Sequence, residues 1–312
     1  LKKNSLLNPR ATNALAIIAC ILWATAFVGV KIGLQYSPPL QFAGVRFIIS
    51  GVIILPFISR LIKKNIFSLR DIGFIAFVGI IQVSIQYSLF YSGMSLVPGA
   101  LGAMIVGSGP LFVAIVAHLL MPNDRISLRK ALSISLGLAG IAIITLGRNS
   151  MGAVGAGAAF GILLLLANNT LSGFGNVLVA KNKQRVPPLI LSSFSMVFGG
   201  LLLWIVGISV EGIKTGPYPP DYYYALGWLS FLSAAAISIW YSLLGRPGVK
   251  VSTLNMWKFI IPVLGAALSW VMLPIEHPSV VAILGMVLVA IALLFLSKRV
   301  DATIPFSSAK KP

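Results

Sequence analysis

Acid is what this sequence has least of: six Asp and Glu stand among 312 residues, against 24 Lys and Arg. All six, Asp71, Asp124, Glu211, Asp221, Glu276 and Asp301, fall at the ends of apolar runs, in connections or in the tail. A carboxylate fixed deep inside a membrane, the usual partner of a buried cation or carrier of a proton relay, is therefore not expected. Charge of either sign is scarce too. Charged residues make up 10% of the chain and hydrophobic ones 58%, where soluble domains carry about 25% charge. A soluble fold of this composition would expose large apolar patches, so the chain reads as a polytopic membrane protein. The single cysteine, Cys20, excludes a disulfide within the chain and reads as a small buried hydrophobe. Two isolated histidines, His118 and His277, make no metal site without acids or cysteines beside them. There is no P-loop and no cluster of catalytic carboxylates, so neither a cofactor nor an enzymatic activity is expected. The net charge of +18 could point to nucleic acid. That needs a basic face on a folded surface, whereas here the basic residues punctuate apolar runs.

Those runs are what the sequence has in abundance. A transmembrane helix needs about 20 mostly apolar residues. Ten segments qualify: 12–34, 39–60, 72–95, 99–121, 128–147, 155–179, 188–210, 222–244, 250–273 and 278–297. Laid across a membrane in alternation, they leave nineteen Lys and Arg on the side of the N-terminus and two, Arg148 and Lys214, on the other. The positive-inside rule then puts both termini in the cytoplasm. The first run also has a signal-peptide look, with Lys2, Lys3 and Arg10 ahead of it and Ala24-Thr25-Ala26 as a small-residue site. Its apolar stretch continues to Leu34, so a membrane helix is the expected reading.

At an offset of 152 residues Pro110 matches Pro262, Pro122 matches Pro274, Asp124 matches Glu276 and Ser127 matches Ser279. Each Pro-x-Asp/Glu-x-x-Ser segment joins the last two helices of a five-helix block. Five is odd, so the second block starts from the opposite side, the inverted repeat of many secondary transporters. The expected fold is all-α, ten transmembrane helices in two inverted five-helix repeats. The cytoplasmic tails are 1–11 and 298–312, and the repeats 12–147 and 148–297.

On these features the chain resembles the drug/metabolite transporter superfamily, in its ten-helix group of EamA-type permeases. Trp23-Ala24-Thr25-Ala26-Phe27-Val28 is similar to that family's first helix. Pro39-Leu40-Gln41-Phe42-Ala43-Gly44-Val45-Arg46-Phe47 is similar to its second-helix entry, and the helix–Pro-x-acid–helix turn ends each half. Asn123-Asp124 departs from the glutamate usual in that turn. The resemblance implies two bundles around a central cavity, transport of small solutes, often export of amino acids or related metabolites, and a bacterial inner membrane.

Three cations remain inside the runs. Lys31 lies near an outer helix end, where its stem can snorkel. Arg46 sits roughly 10 Å below the outer end and Lys258 roughly 12 Å above the inner one, at 1.5 Å per residue. A charge that deep costs a few kcal/mol and should face a partner or a water-filled cavity. With no acid available, carbonyl oxygen, amide oxygen, water or a bound anion would meet Lys258, unless its amine is buried neutral. Asn255 and Ser252 precede it at one-turn intervals, and Pro262 denies the Lys258 carbonyl its helical donor. Gln82 and Gln86, Tyr87 and Tyr91, and Asn168, Ser172 and Asn176 recur at four-residue spacing and outline a polar seam that also serves packing. Trp23, Trp240, Tyr241 and Trp257 are candidates for an apolar or cation-binding wall.

The expected function is a secondary transporter of a small metabolite, an amino acid or another carboxylate. Lys258 and Asn255 would meet its negative end, Gln82, Gln86 and Asn169 would supply hydrogen bonds, and Trp23 and Trp257 the apolar wall. Carriage of phosphorylated or nucleotide-linked metabolites, export of amphipathic drugs and a non-transporting scaffold stay open as alternatives. The absence of intramembrane acids favours facilitated diffusion or exchange over proton coupling, for which only His118 is available. Gly152 to Gly157 would ease bending into the sixth helix. The partners expected are the solute, the lipid bilayer and, as an open alternative, a second copy in a homodimer, but not nucleic acid.

Overall fold

The computed structural model describes residues 9–128, 156–183, 185–214, 216–272 and 280–297, together with Pro278 and some positions between 131 and 143. Among them every regular element is helical. In chain order these are α1 (Pro9–Gly33), α2 (Pro39–Lys64) and α3 (Leu69–Gly79), which runs through a π segment (Ile80–Ile85) into α4 (Gln86–Leu96). Then come α5 (Gly99–Gly107), α6 (Gly109–Leu120), α7 (Ala156–Lys181), α8 (Pro188–Glu211) and α9 (Pro220–Leu244). The short α10 (Val251–Asn255) passes through a 3-10 turn (Met256–Phe259) into α11 (Ile260–Met272), and α12 (Val280–Ser297) follows. Among the described residues, eight helical stretches are long and apolar enough to cross a membrane, and they coincide with eight of the ten expected runs. Most positions of 128–147 lie outside the described residues, as do Pro274, Glu276, His277, Ser279, Gly152 to Gly155, residues 1–8 and the C-terminal tail.

Local chemistry sets where the helices begin. α2, α8 and α9 each start at the second proline of a pair, Pro38-Pro39, Pro187-Pro188 and Pro219-Pro220. The first proline is held extended by the ring that follows it, with ψ of 147°, 133° and 162°. The second sits where a missing N–H costs nothing and its φ already suits a helix. α3 opens on a reciprocal cap: Asp71 N–H donates to Ser68 Oγ at 3.3 Å, and Ser68 N–H to Asp71 Oδ2 at 3.0 Å. α1 runs unbroken through Ala24-Thr25-Ala26, and Ala24 is fully buried, so this segment is a packed wall of the bundle.

Small residues bring the helices close, as expected where lipid removes the hydrophobic drive between them. On the α2–α8 contact, a Cβ added at Gly200 would come within 2.8 Å of the Ile48 backbone nitrogen. Polar groups complete the seams. Glu211, at the end of α8, accepts from the N–H groups of Leu40 (2.9 Å) and Gln41 (3.2 Å), and so caps α2 from a neighbouring helix. Lys31 donates to the Met94 carbonyl at 2.8 Å, tying α1 to α4 at the end where snorkelling was expected.

Candidate functional site

The π segment and the 3-10 turn both border one cavity. Its walls come from α1, α2, the π segment, α4, α5, α6, α7, α9, the 3-10 turn and α11, and it encloses about 110 Å³. π and 3-10 stretches inside longer helices commonly mark functional positions, because they turn side chains and carbonyls away from the regular ladder. Here the π segment presents Gln82 and the 3-10 turn presents Lys258, and both line the cavity. Gln82 lies flat against α7 because residue 175 is glycine; any Cβ there would overlap the Gln82 amide nitrogen. Opposite, the Pro262 ring sits on Gly107, where an added Cβ would come within 2.5 Å of three ring carbons.

Lys258 meets aromatic rings rather than acid. Its Nζ lies 4.7 Å from the centre of the Trp240 ring and 5.2 Å from that of Trp23, and the two indoles meet edge to face at 5.1 Å. No described carboxylate pairs with it, and none lines the cavity. A desolvated cation over an indole gains about 2 kcal/mol, and the lenient insertion cost of a mid-membrane lysine is about 2.5–3.5 kcal/mol. Two ring faces are thus comparable to the cost, so the ammonium can reside here without a counter-ion and still be available to one.

Asn176 fixes this arrangement. Its Oδ1 accepts from Trp240 Nε1 at 2.7 Å and from Asn255 Nδ2 at 3.4 Å, while its Nδ2 donates to the Ser172 carbonyl at 2.7 Å. One side chain thus joins α7, α9 and α10. Asn169 is anchored as well, donating to the Ile105 carbonyl at 2.7 Å and to Ser108 Oγ at 3.2 Å, beside the break between α5 and α6. Other amide atoms have no partner in the protein: Gln82 Nε2, Gln86 Oε1 and Asn255 Oδ1 are buried without a hydrogen bond. Buried polar atoms are normally paired, so three in and around one cavity leave bonding capacity for water or a solute.

Arg46 also lines the cavity and is 1% exposed. Its Nε donates to Ser233 Oγ at 2.9 Å and to the Leu229 carbonyl at 3.2 Å, its Nη1 to Tyr91 OH at 2.6 Å and its Nη2 to Ser233 Oγ at 2.7 Å. The rings of Phe47, Tyr87 and Tyr91 surround the guanidinium at 5.0, 5.9 and 5.8 Å. Neutral oxygens and ring faces again do what an acid would do.

Of the sequence-derived site residues, Lys258, Gln82, Gln86, Asn169 and Trp23 all line this cavity. Asn255 lies just behind the wall, fully buried and bonded to Asn176. Trp257 does not line it and packs, partly buried, against the core. Neighbouring residues of a 3-10 turn point about 120° apart, so the turn that aims Lys258 inwards carries Trp257 away. Trp240, grouped in the sequence only with other aromatic candidates, takes the place beside Lys258. His118 is exposed, off the cavity, and accepts the Ile126 N–H through Nδ1 at 2.9 Å. That bond folds the turn back on α6 and is a structural role.

The model of the EamA-like transporter family matches residues 11–146 and again 159–298. The chain belongs to the EamA-like transporter family. As an EamA-like protein it is similar along its length to YvbV of Bacillus subtilis (strain 168), described as an uncharacterized transporter. They are 24% identical over 301 residues, 94% of each chain. It is also similar to YedA of Escherichia coli (strain K12), an uncharacterized inner membrane transporter, at 27% identity over 80% of this chain and 78% of that one. A solved crystal structure aligns with a TM-score of 0.69 over 92% of this chain and 97% of the other, at 18% identity, which shows a shared fold. This EamA-like chain is thus a multi-pass membrane protein of a transporter family.

Proposed function

We propose that the cavity around Lys258 is the solute site of a secondary transporter for a small carboxylate. The observation that carries this is the Lys258 ammonium on the cavity wall, held between two indoles with no described acid as partner. Gln82 and Gln86 contribute directional hydrogen bonds, Asn169 and Asn255 hold the wall behind them, and Trp23 and Trp240 form its apolar face. The size of the cavity supports a small solute: 110 Å³ is well below the roughly 300–1,000 Å³ that takes drug-sized ligands. It has room for several waters. Drug export is disfavoured on the same ground and because the walls lack negative charge.

The same proposal covers the architecture. Two matches to one family model support two homologous halves. Five helices in each half would invert the second, and rocking of one half against the other would expose the cavity alternately. The halves fall at 12–147 and 148–297, between cytoplasmic tails, in the cytoplasmic membrane.

The test is counterflow in proteoliposomes with labelled amino acids, other small carboxylates and phosphate esters, native protein beside Lys258→Met. A carboxylate that moves with the native protein and not with the folded variant supports the assignment. Flux that survives in Lys258→Met would make the lysine helix glue. Strongest competition by phosphate esters would favour the phosphorylated-metabolite reading, for which Lys258 and Arg46 on one cavity provide the observation.

A further inference from the structure

We infer that the solute of this cavity is a net anion that carries no ammonium group of its own. The inference rests on the cavity being the solute site, and it turns on charge balance. Lys258 and Arg46 both line the cavity, and no described acid does. A zwitterion brings as much positive charge as negative and would leave both cations uncompensated in a poorly solvated space. A solute with net negative charge cancels at least one of them.

The aromatic wall points the same way. An ammonium group without a carboxylate partner is best held over ring faces. Trp23 and Trp240 already face Lys258, and Tyr87 already faces Arg46. The chain's own cations already occupy these three ring faces. The hydrogen-bonding capacity left over fits a different solute. A guanidinium has five N–H donors. The bonds of Arg46 to Leu229, Ser233 and Tyr91 use three of them and leave one on each terminal nitrogen. Gln82, another residue of the lining, adds an unpaired donor in its Nε2. On the acceptor side stands the neutral Gln86 Oε1, also unpaired. An amide oxygen satisfies a hydroxyl donor completely but cancels none of the charge of an ammonium. The set therefore describes an anionic head with a neutral hydroxyl nearby, as in a 2-hydroxy acid.

Matched pairs that differ only in hydroxyl against ammonium isolate this feature: lactate and alanine, malate and aspartate, 2-hydroxyisovalerate and valine. Counterflow is measured for each labelled compound with the native protein in proteoliposomes, with glycerol phosphate as a competitor. In every pair that shows flux, the hydroxy acid should exceed its amino partner by at least tenfold. Lys258→Gln, which removes one positive charge, should shrink that ratio. If the amino partners move as fast or faster, the net-anion inference is wrong while the carboxylate reading stands. If glycerol phosphate blocks flux more strongly than any hydroxy acid, the anion inference holds and the carboxylate reading falls. If no anion of either kind moves or competes, both are wrong. The comparison within each pair uses the native protein, so it decides the matter even if the Lys258 variant does not fold.

Discussion

At the scale of single residues, the partly buried Lys258 is stabilised by ring faces and the buried Arg46 by ring faces and neutral oxygens, and each arrangement makes its own prediction. Trp240 gives Lys258 one of its two aromatic faces and is itself held by Asn176. Trp240→Leu should weaken solute binding and lower the melting temperature in detergent, because one cation–π contact of about 2 kcal/mol is lost. Trp240→Phe keeps a ring face and should fall between. An unchanged melting curve for Trp240→Leu would mean that the indole does not stabilise the ammonium. Arg46 binds Tyr91 and Ser233 through a planar fork that lysine cannot reproduce. Arg46→Lys should therefore destabilise by several kcal/mol despite keeping its charge, since each broken buried bond to a charged group costs about 1.5–3 kcal/mol; a thermal-shift assay in detergent reads this. Lys258 was legible from its position alone, as a charge in an apolar run with no acid to meet it. The partnership of Trp240 with Lys258 was not. Those residues lie on different elements joined by a turn, and no periodicity links them.

At the scale of elements, the site depends on helices that are irregular where the cavity needs them. Hydropathy marked the run 72–95 as one helix. It carried no sign of the π segment that turns Gln82 onto α7, since apolar composition does not register an extra residue in a turn. The short α10 was likewise hidden inside a longer apolar run. Its start is held from outside: Asp124, 3% exposed, accepts the Ser252 N–H at 3.0 Å and the Ser252 hydroxyl as well. This gives the acid of the Pro-x-Asp turn a concrete role, a cap for the element that leads to Lys258. Asp124→Ala should cost about 1–3 kcal/mol by stranding a buried N–H, measured as a lower melting temperature with reduced solute affinity; wild-type values for both would refute the cap. Two glycines make a contrasting pair. At Gly175 the obstacle is the mobile end of Gln82, whereas at Gly107 it is the rigid Pro262 ring. Gly175→Ala should thus fold and lose solute binding much as Gln82→Ala does. Gly107→Ala should lower the yield of folded protein, and size-exclusion chromatography separates the two outcomes.

At the scale of the whole molecule, the fold class was plain in the sequence, because long apolar runs and scarce charge leave few structures other than a helical bundle in lipid. Eight of the ten runs coincide with helices of spanning length. The wall of the cavity was less legible. The four-residue spacing of Asn168, Ser172 and Asn176 gave one polar face, but which helices close around it depends on tertiary packing. The topology makes a direct prediction. Cys20 is buried, so the native chain offers little background to a membrane-impermeant thiol reagent. Lys214→Cys should react in intact cells, and Lys181→Cys only after the membrane is opened. The reverse pattern would turn the molecule over.

The central claim is that Lys258 touches the solute, and equilibrium binding tests it without the complications of flux. The solute found by counterflow would be titrated, labelled, against purified native protein and Lys258→Met in detergent. The account predicts at least a tenfold loss of affinity in a variant whose melting temperature is not lowered. Equal affinity in the two proteins would contradict it and place the solute elsewhere.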